Sequence, residues 1–248
     1  FQLIMGHNCG KRWPDHSKSR ILGGNEAPPG KWPWQVQVDD GCGGTVIAPT
    51  WILTAAHCLN PRAKSMPVYY GSVRGYDIDD KTAYSKAPIF HEEWSYHENE
   101  NGTHFNDIGL LELKKPLPFG PNVQSICLPS TNTTIPKDAQ VVATGFGIWN
   151  DPSTPHKLND TRIRLRETVF PLVSSAICSQ RLQKGIPDTQ ICGGGEGHST
   201  AKGDSGGPEV MYSKDGRWFQ AYLRMCVSTV TGSTRRREAK CRVSMPNY

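Results

Sequence analysis

The sequence predicts an all-β protein, and three observations carry that expectation. Short apolar runs recur between Gly, Pro, Asn and Asp turns, no helical periodicity is sustained over three turns, and no segment repeats. In order along the chain, the expected strands are Trp34-Gln35-Val36-Gln37-Val38, Thr45-Val46-Ile47, Trp51-Ile52-Leu53 and Ile108-Gly109-Leu110-Leu111-Glu112-Leu113. Val141-Val142-Ala143-Thr144-Gly145-Phe146-Gly147 and Phe219-Gln220-Ala221-Tyr222-Leu223 continue the pattern in the second half. Two segments read as helical: Ala55–Leu59 as one turn after a strand, and Ser174–Leu182 as an intermediate helix.

The 248 residues can bury a full core and fit one large or two small domains. Hydrophobic content of 36% with 21% charged residues argues against disorder. Eight cysteines, an even number, suggest a disulfide framework in an oxidising compartment, and none falls in a Cys-x-x-Cys pair of the kind a zinc ribbon uses. Asn101, Asn132 and Asn159 each open a glycosylation sequon, which fits a secreted surface. No apolar run approaches the length of a membrane-spanning helix. Phe1–Met5 is too short for a signal peptide and reads as the remnant of one, so residues 1–20 read as a polar leader rather than a domain. The net charge of +5 is mild and implies no nucleic-acid partner. Its sharpest cluster, Arg235-Arg236-Arg237, reads as a solvated loop, with anionic-polymer binding as the alternative. Asp77, Asp79 and Asp80 lack Gly and Glu at calcium-ligand spacing and read as a solvated turn, so no metal is implied.

Three further segments carry chemistry. Thr54-Ala55-Ala56-His57-Cys58, Asn106-Asp107-Ile108-Gly109-Leu110-Leu111 and Gly203-Asp204-Ser205-Gly206-Gly207-Pro208 supply a histidine, an aspartate and a serine in that order. A serine hydroxyl is a poor nucleophile until a neighbouring base takes its proton, so Ser205 needs His57. His57 in turn needs a carboxylate to hold its tautomer and offset its transient charge, and Asp107 is the candidate. Glycines around Ser205 let the N–H groups of Gly203 and Ser205 point at a developing oxyanion. Singly, these are a buried histidine beside a disulfide, a strand-end aspartate and a glycine-rich turn. Jointly and in this order they match one serine-hydrolase template.

On those motifs the chain resembles the trypsin/chymotrypsin-like serine endopeptidases from Cys9 to about Ser228. The resemblance implies two six-stranded antiparallel barrels, about 21–135 and about 136–248, with the active site in the cleft between them. His57 and Asp107 would come from the first barrel and Ser205 from the second. Lys18-Ser19-Arg20 before Ile21-Leu22-Gly23-Gly24 resembles a zymogen activation junction, where cleavage after Arg20 frees the Ile21 ammonium to pair with Asp204. Eight cysteines allow on the order of a hundred connectivities; by resemblance Cys42 pairs with Cys58, Cys178 with Cys192 and Cys9 with Cys127. Cys226 and Cys241 remain, and bond to each other if to anything. The implied partners are a protein or peptide substrate, an activating protease and serpin or Kunitz-type inhibitors, acting on a secreted monomer with no cofactor and no membrane.

The departures cluster toward the C-terminal end. Val141 and Met211 replace both cysteines of a second-barrel bridge, which leaves no orphan thiol. Ala201 replaces a cysteine that braces the specificity pocket, and Val227-Ser228-Thr229-Val230 stands where a Ser-Trp-Gly wall is usual. Ser228 can still support Asp107. Beyond Cys226 the chain reads as a divergent or truncated end. Ser199 at the pocket floor suggests an apolar or aromatic preference, Val230 a shortened pocket for small side chains, and Glu238 a basic preference if it reaches the pocket. Two functions stay open at this point: a secreted endopeptidase, and a catalytically weak or inactive protease-like binding protein.

Overall fold

The computed structural model describes residues 8–12, 25–39, 41–75, 81–95, 106–130, 133, 135–136, 139–147, 164–182, 190–193, 203–226 and 241–244. The first seven strands after a short crossing element build one sheet. β1 (Asn25–Glu26) is followed by β2 (Gln35–Val38), β3 (Cys42–Ala48), β4 (Trp51–Thr54), β5 (Pro67–Tyr70), β6 (Thr82–Tyr84), β7 (Ile89–Phe90) and β8 (Gly109–Glu112). The sheet order is β6-β5-β2-β3-β4-β8-β7 with every described pairing antiparallel. β6 and β7 are two halves of one interrupted strand, because Ser85 between them bridges Leu113 just past β8. Counted that way, six strands close the ring.

The second sheet contains β9 (Gln140–Gly145), β10 (Arg166–Val173), β11 (Gln190–Gly193), β12 (Pro208–Tyr212), β13 (Trp218–Cys226) and β14 (Cys241–Ser244). β9 pairs with both β10 and β12, so the order β10-β11-β14-β13-β12-β9 returns on itself as a six-stranded barrel. β1 adds to its outside by pairing with β10. The fold is thus all-β, two antiparallel barrels, with one short helix, α1 (Ser175–Leu182), tied to β11 by Cys178–Cys192. The divergent C-terminal segment still supplies β14, which sits between β11 and β13 and places Cys226 opposite Cys241.

Alternation explains how the barrels meet. In β2, Val36 and Val38 enter the first core, yet Gln35 and Gln37 on the other face are buried as well. Gln35 Oε1 accepts a 2.6 Å hydrogen bond from Thr144 Oγ1 of β9, so that outer face is covered by the second barrel. Val141 is fully buried in the second core, with Met211 packed against the same cluster. The β9–β12 register, Glu209↔Ala143 and Val210↔Val142, carried on by one residue, sets Met211 of β12 opposite Val141 of β9. Apolar packing stands where a covalent bridge is absent.

Eight strands, β1, β5, β6, β7, β10, β11, β12 and β14, lie outside the segments that read as strands in the sequence, and for five of them the physical reason is plain. β10 carries Arg166, Glu167 and Pro171, a composition that looks like a loop. Pro171 is tolerated because it falls between the β1-paired residues Arg166–Glu167 and the β11-paired residues Leu172–Val173, where no second-side partner needs its missing N–H. β5 and β12 begin at Pro67 and Pro208, and β6 and β7 are only three and two residues long.

Glu167 has a function in the fold that its charge conceals. Its Oε1 accepts from Lys31 Nζ at 2.6 Å and its Oε2 from Trp32 Nε1 at 2.5 Å, with both charged groups buried. Glu167→Gln removes the counter-charge and leaves the Lys31 ammonium buried; it should lower unfolding free energy by about 3–5 kcal/mol in a urea titration. In the second core, burial and then the Glu209 carboxylate push Tyr222 up to about 12. An unfolded tyrosine ionises near 10, so this stabilisation is complete below pH ~10 and is lost as pH rises from ~10 toward ~12. Tyr222→Phe should therefore flatten the loss of stability across that window.

Candidate active site

The histidine segment begins where β4 ends. Ala55 is extended (φ −77°, ψ 142°), and Ala56–Cys58 then form one 3-10 turn. Ala55 and Ala56 are wholly buried, and the disulfide Cys42–Cys58 ties the turn back to the first residue of β3. The packed alanines and the disulfide fix the turn, so its middle residue, His57, is presented at the barrel end with 29% of its side chain exposed.

Asp107 reaches the same place from the start of β8. Asn106 adopts φ 51° and its carbonyl accepts the Ile108 N–H at 2.7 Å, a tight reversal that turns Asp107 inward to 1% exposure. Both carboxylate oxygens are then committed to His57. Oδ1 accepts the His57 backbone N–H at 2.8 Å, and Oδ2 lies 2.6 Å from Nδ1. A carboxylate there is acceptor only, so Nδ1 donates to it, and Nε2 on the other side of the ring lies 3.6 Å from Cys58 Sγ.

Ser205 lies in a turn of the second barrel that docks onto the first. Its carbonyl accepts the Gly43 N–H at 2.7 Å, while Thr54 Oγ1 donates to the Gly43 carbonyl at 2.8 Å. Gly206 has φ 76°, and a Cβ on it would press on Thr54 Oγ1 and on the Gly43 carbonyl. Only glycine lets the turn come this close. The connection from Ser205 to Gly43, to Cys42, to Cys58 and thence to His57 is therefore short and partly covalent. The structure thus brings together His57, Asp107 and the Ser205 turn, all at one junction between barrels. Gly203, with φ 98°, sits at the start of that turn and is buried, as Ser205 is.

Asp204 is 9% exposed, and its Oδ1 accepts the Gly147 N–H at 2.9 Å. From sequence alone Gly147 reads only as the end of a strand, and Thr54 and Gly43 carry no evident role. Thr54 is signalled only by its place three residues before His57. Arg20 and Ile21 of the activation junction lie outside the described residues. So do Ser199, Ala201, Ser228, Val230 and Glu238 of the pocket, the sequons at Asn101, Asn132 and Asn159, and the clusters at 77–80 and 235–237. Cys42, His57 and Cys58 approach one another like a metal triad, but the two sulfurs are bonded to each other and offer no thiolate.

The Trypsin family model matches residues 21–241. The chain belongs to the trypsin family. As a trypsin-like serine protease it carries three described disulfides, Cys9–Cys127, Cys42–Cys58 and Cys178–Cys192. Among the described residues no helix is long and apolar enough to cross a membrane.

The close docking of the Ser205 turn is testable without any substrate. Gly206→Ala places a Cβ in a left-handed backbone and against Gly43, so it should cost about 1–3 kcal/mol or more in stability. A thermal unfolding curve checks it, with Gly216→Ala on the exposed β12–β13 turn as the milder comparison, since there the nearest atom is the Tyr212 hydroxyl at 3.7 Å.

Proposed function

We propose that this protein is a secreted serine endopeptidase, made as a zymogen, in which Ser205, His57 and Asp107 hydrolyse peptide bonds. The observation that carries the reading is the two-point grip of Asp107 on His57, which fixes the imidazole through Nδ1 at the junction where the Ser205 turn docks and makes Nε2 the proposed base. His57 Nε2 takes the Ser205 proton as Oγ attacks the substrate carbonyl. The N–H groups of Gly203 and Ser205 receive the oxyanion. The imidazolium, steadied by Asp107, protonates the leaving amine, and water then releases the acyl group by the reverse proton path.

The same reading extends to activation. Cleavage after Arg20 frees the Ile21 ammonium, and a buried carboxylate at Asp204 is a favourable partner for it. The leader stays attached through Cys9–Cys127. Secretion is supported by the disulfides, and the three sequons are proposed glycosylation sites. Ser199 brings no charge to the pocket floor, so we expect cleavage after apolar residues, with the pocket wall at Ser228 and Val230 less preorganised than in the family at large. Protein substrates, an activating protease and serpin or Kunitz-type inhibitors are the proposed partners of a monomer that uses no cofactor.

A fluorophosphonate probe applied before and after cleavage at Arg20–Ile21 tests the proposal. Labelling should rise on cleavage and vanish in Ser205→Ala, and the cleaved form should show Ile21 as a new N-terminus still linked to the leader. Asp107→Asn should keep the fold and cut turnover by about 10⁴ through the wrong imidazole tautomer. Labelling that survives Ser205→Ala, or no gain on cleavage, contradicts it. A peptide library preferring Arg or Lys before the scissile bond would overturn the apolar specificity and turn attention to Glu238.

A further inference from the structure

Away from the cleft, three turns of the first barrel converge and each carries basic side chains. The segment after His57 holds Arg62 and Lys64, the turn after β6 holds Lys86, and the turn after β8 holds Lys114 and Lys115. They are locked together by hydrogen bonds. Ser65 Oγ donates to the Ser85 carbonyl at 2.7 Å, the Lys86 N–H to the Glu112 carbonyl at 2.7 Å, and the Lys114 N–H to the Tyr84 carbonyl at 2.9 Å. Lys114 Nζ reaches across to Ser65 Oγ at 2.9 Å. The cations therefore share one rigid surface although they are far apart in sequence.

That surface is unbalanced. Within these three turns the only carboxylate is Glu112, and it is used by Lys86 at 2.6 Å. Arg62, Lys64, Lys114 and Lys115 are exposed and have no ion-pair partner among the described residues. Beside them stands Tyr84. Strand alternation sends Ala83 into the first core and Tyr84 outward, where it is 56% exposed. A basic rim around an exposed tyrosine has the make-up of a contact surface, since tyrosine anchors are enriched in protein interfaces and charge complementarity sets partner choice.

We propose that this face is an exosite for an acidic polypeptide segment that also carries an apolar or aromatic side chain, the acids meeting Lys64, Lys114 and Lys115 and the apolar group covering Tyr84. Asp107 and Lys114 flank β8, so at ~3.3 Å per residue roughly 20 Å separates the triad from the patch. An extended stretch of about six or seven residues spans that gap. One polypeptide can then occupy patch and cleft at once and gain effective concentration at the scissile bond. This last use rests on the endopeptidase reading; binding to the patch does not.

The test uses the full chain as Ser205→Ala and a fluorescein-labelled peptide of Asp and Glu residues around one Phe, read by anisotropy. The expected result is saturable binding that weakens with salt. It should fall by about tenfold or more in Lys64→Glu/Lys114→Glu/Lys115→Glu and comparably in Tyr84→Ala, all four being exposed positions. The same peptide with Ser for Phe should bind more weakly. Failure to bind, or binding indifferent to these substitutions, overturns the proposal. Heparin binding that depends on the lysines but not on Tyr84, with no peptide binding, overturns it in favour of a sulfated polysaccharide. A chain that binds the peptide but never reacts with the fluorophosphonate probe would sink the endopeptidase reading and leave the exosite standing.

Discussion

The hydrogen bond from the Gly43 N–H to the Ser205 carbonyl, 2.7 Å long, joins groups that belong to different barrels. Either barrel alone has a core, but neither alone has the proposed nucleophile beside the proposed base. The second barrel delivers Ser205, and the first delivers His57 and Asp107. Their relative placement depends on a seam where side chains are small or fully hydrogen-bonded. Gly206 admits the approach, Thr54 caps the Gly43 carbonyl, and Gln35 and Thr144 satisfy each other in the buried interface. A polar pair of this kind at a buried junction costs little when complete and much when broken, so it fixes one arrangement of the barrels.

Residues 8–12 are held to this same framework by more than their disulfide. Beyond Cys9–Cys127, the Gly10 N–H donates to the Ser125 carbonyl at 2.8 Å and its own carbonyl accepts the Trp218 N–H at 2.9 Å. Gly10 has φ 69°, and a Cβ on it would strike the Trp218 carbonyl. Two residues on, the Arg12 guanidinium lies 3.9 Å from the ring centroids of both Trp32 and Trp218. Trp32 is the residue that also donates to Glu167. Residues 10–12 therefore pack against both the segment entering β2 and the strand β13, one from each barrel.

Much of the candidate site is legible in the sequence because the proposed chemistry needs particular residue types. A nucleophile, a base and a carboxylate can be read from Ser205, His57 and Asp107 without knowing where any of them sits. The parts that position them were harder to see. Thr54, Gly43 and Gly147 act through backbone groups, and a backbone hydrogen bond leaves almost no trace in residue identity. The same holds for the fold. Strands that are continuous apolar runs buried on both faces, such as Val141–Gly145, are evident, whereas β10 is hidden by Arg166, Glu167 and Pro171, whose places are set by β1, β9 and β11. The Lys31–Glu167 pair illustrates the limit: composition counts both as surface charge, and only the fold buries them.

The central claim is that the residues gathered at the seam act as one catalytic unit. Its most direct test is a kinetic cycle on the cleaved protein, comparing Ser205→Ala, His57→Ala and the double variant by kcat on an apolar peptide ester. Groups acting as one unit lose nearly everything with the first removal, so the double variant should be no slower than either single variant. Losses that multiply, or a His57→Ala protein that retains most of its turnover, would contradict it.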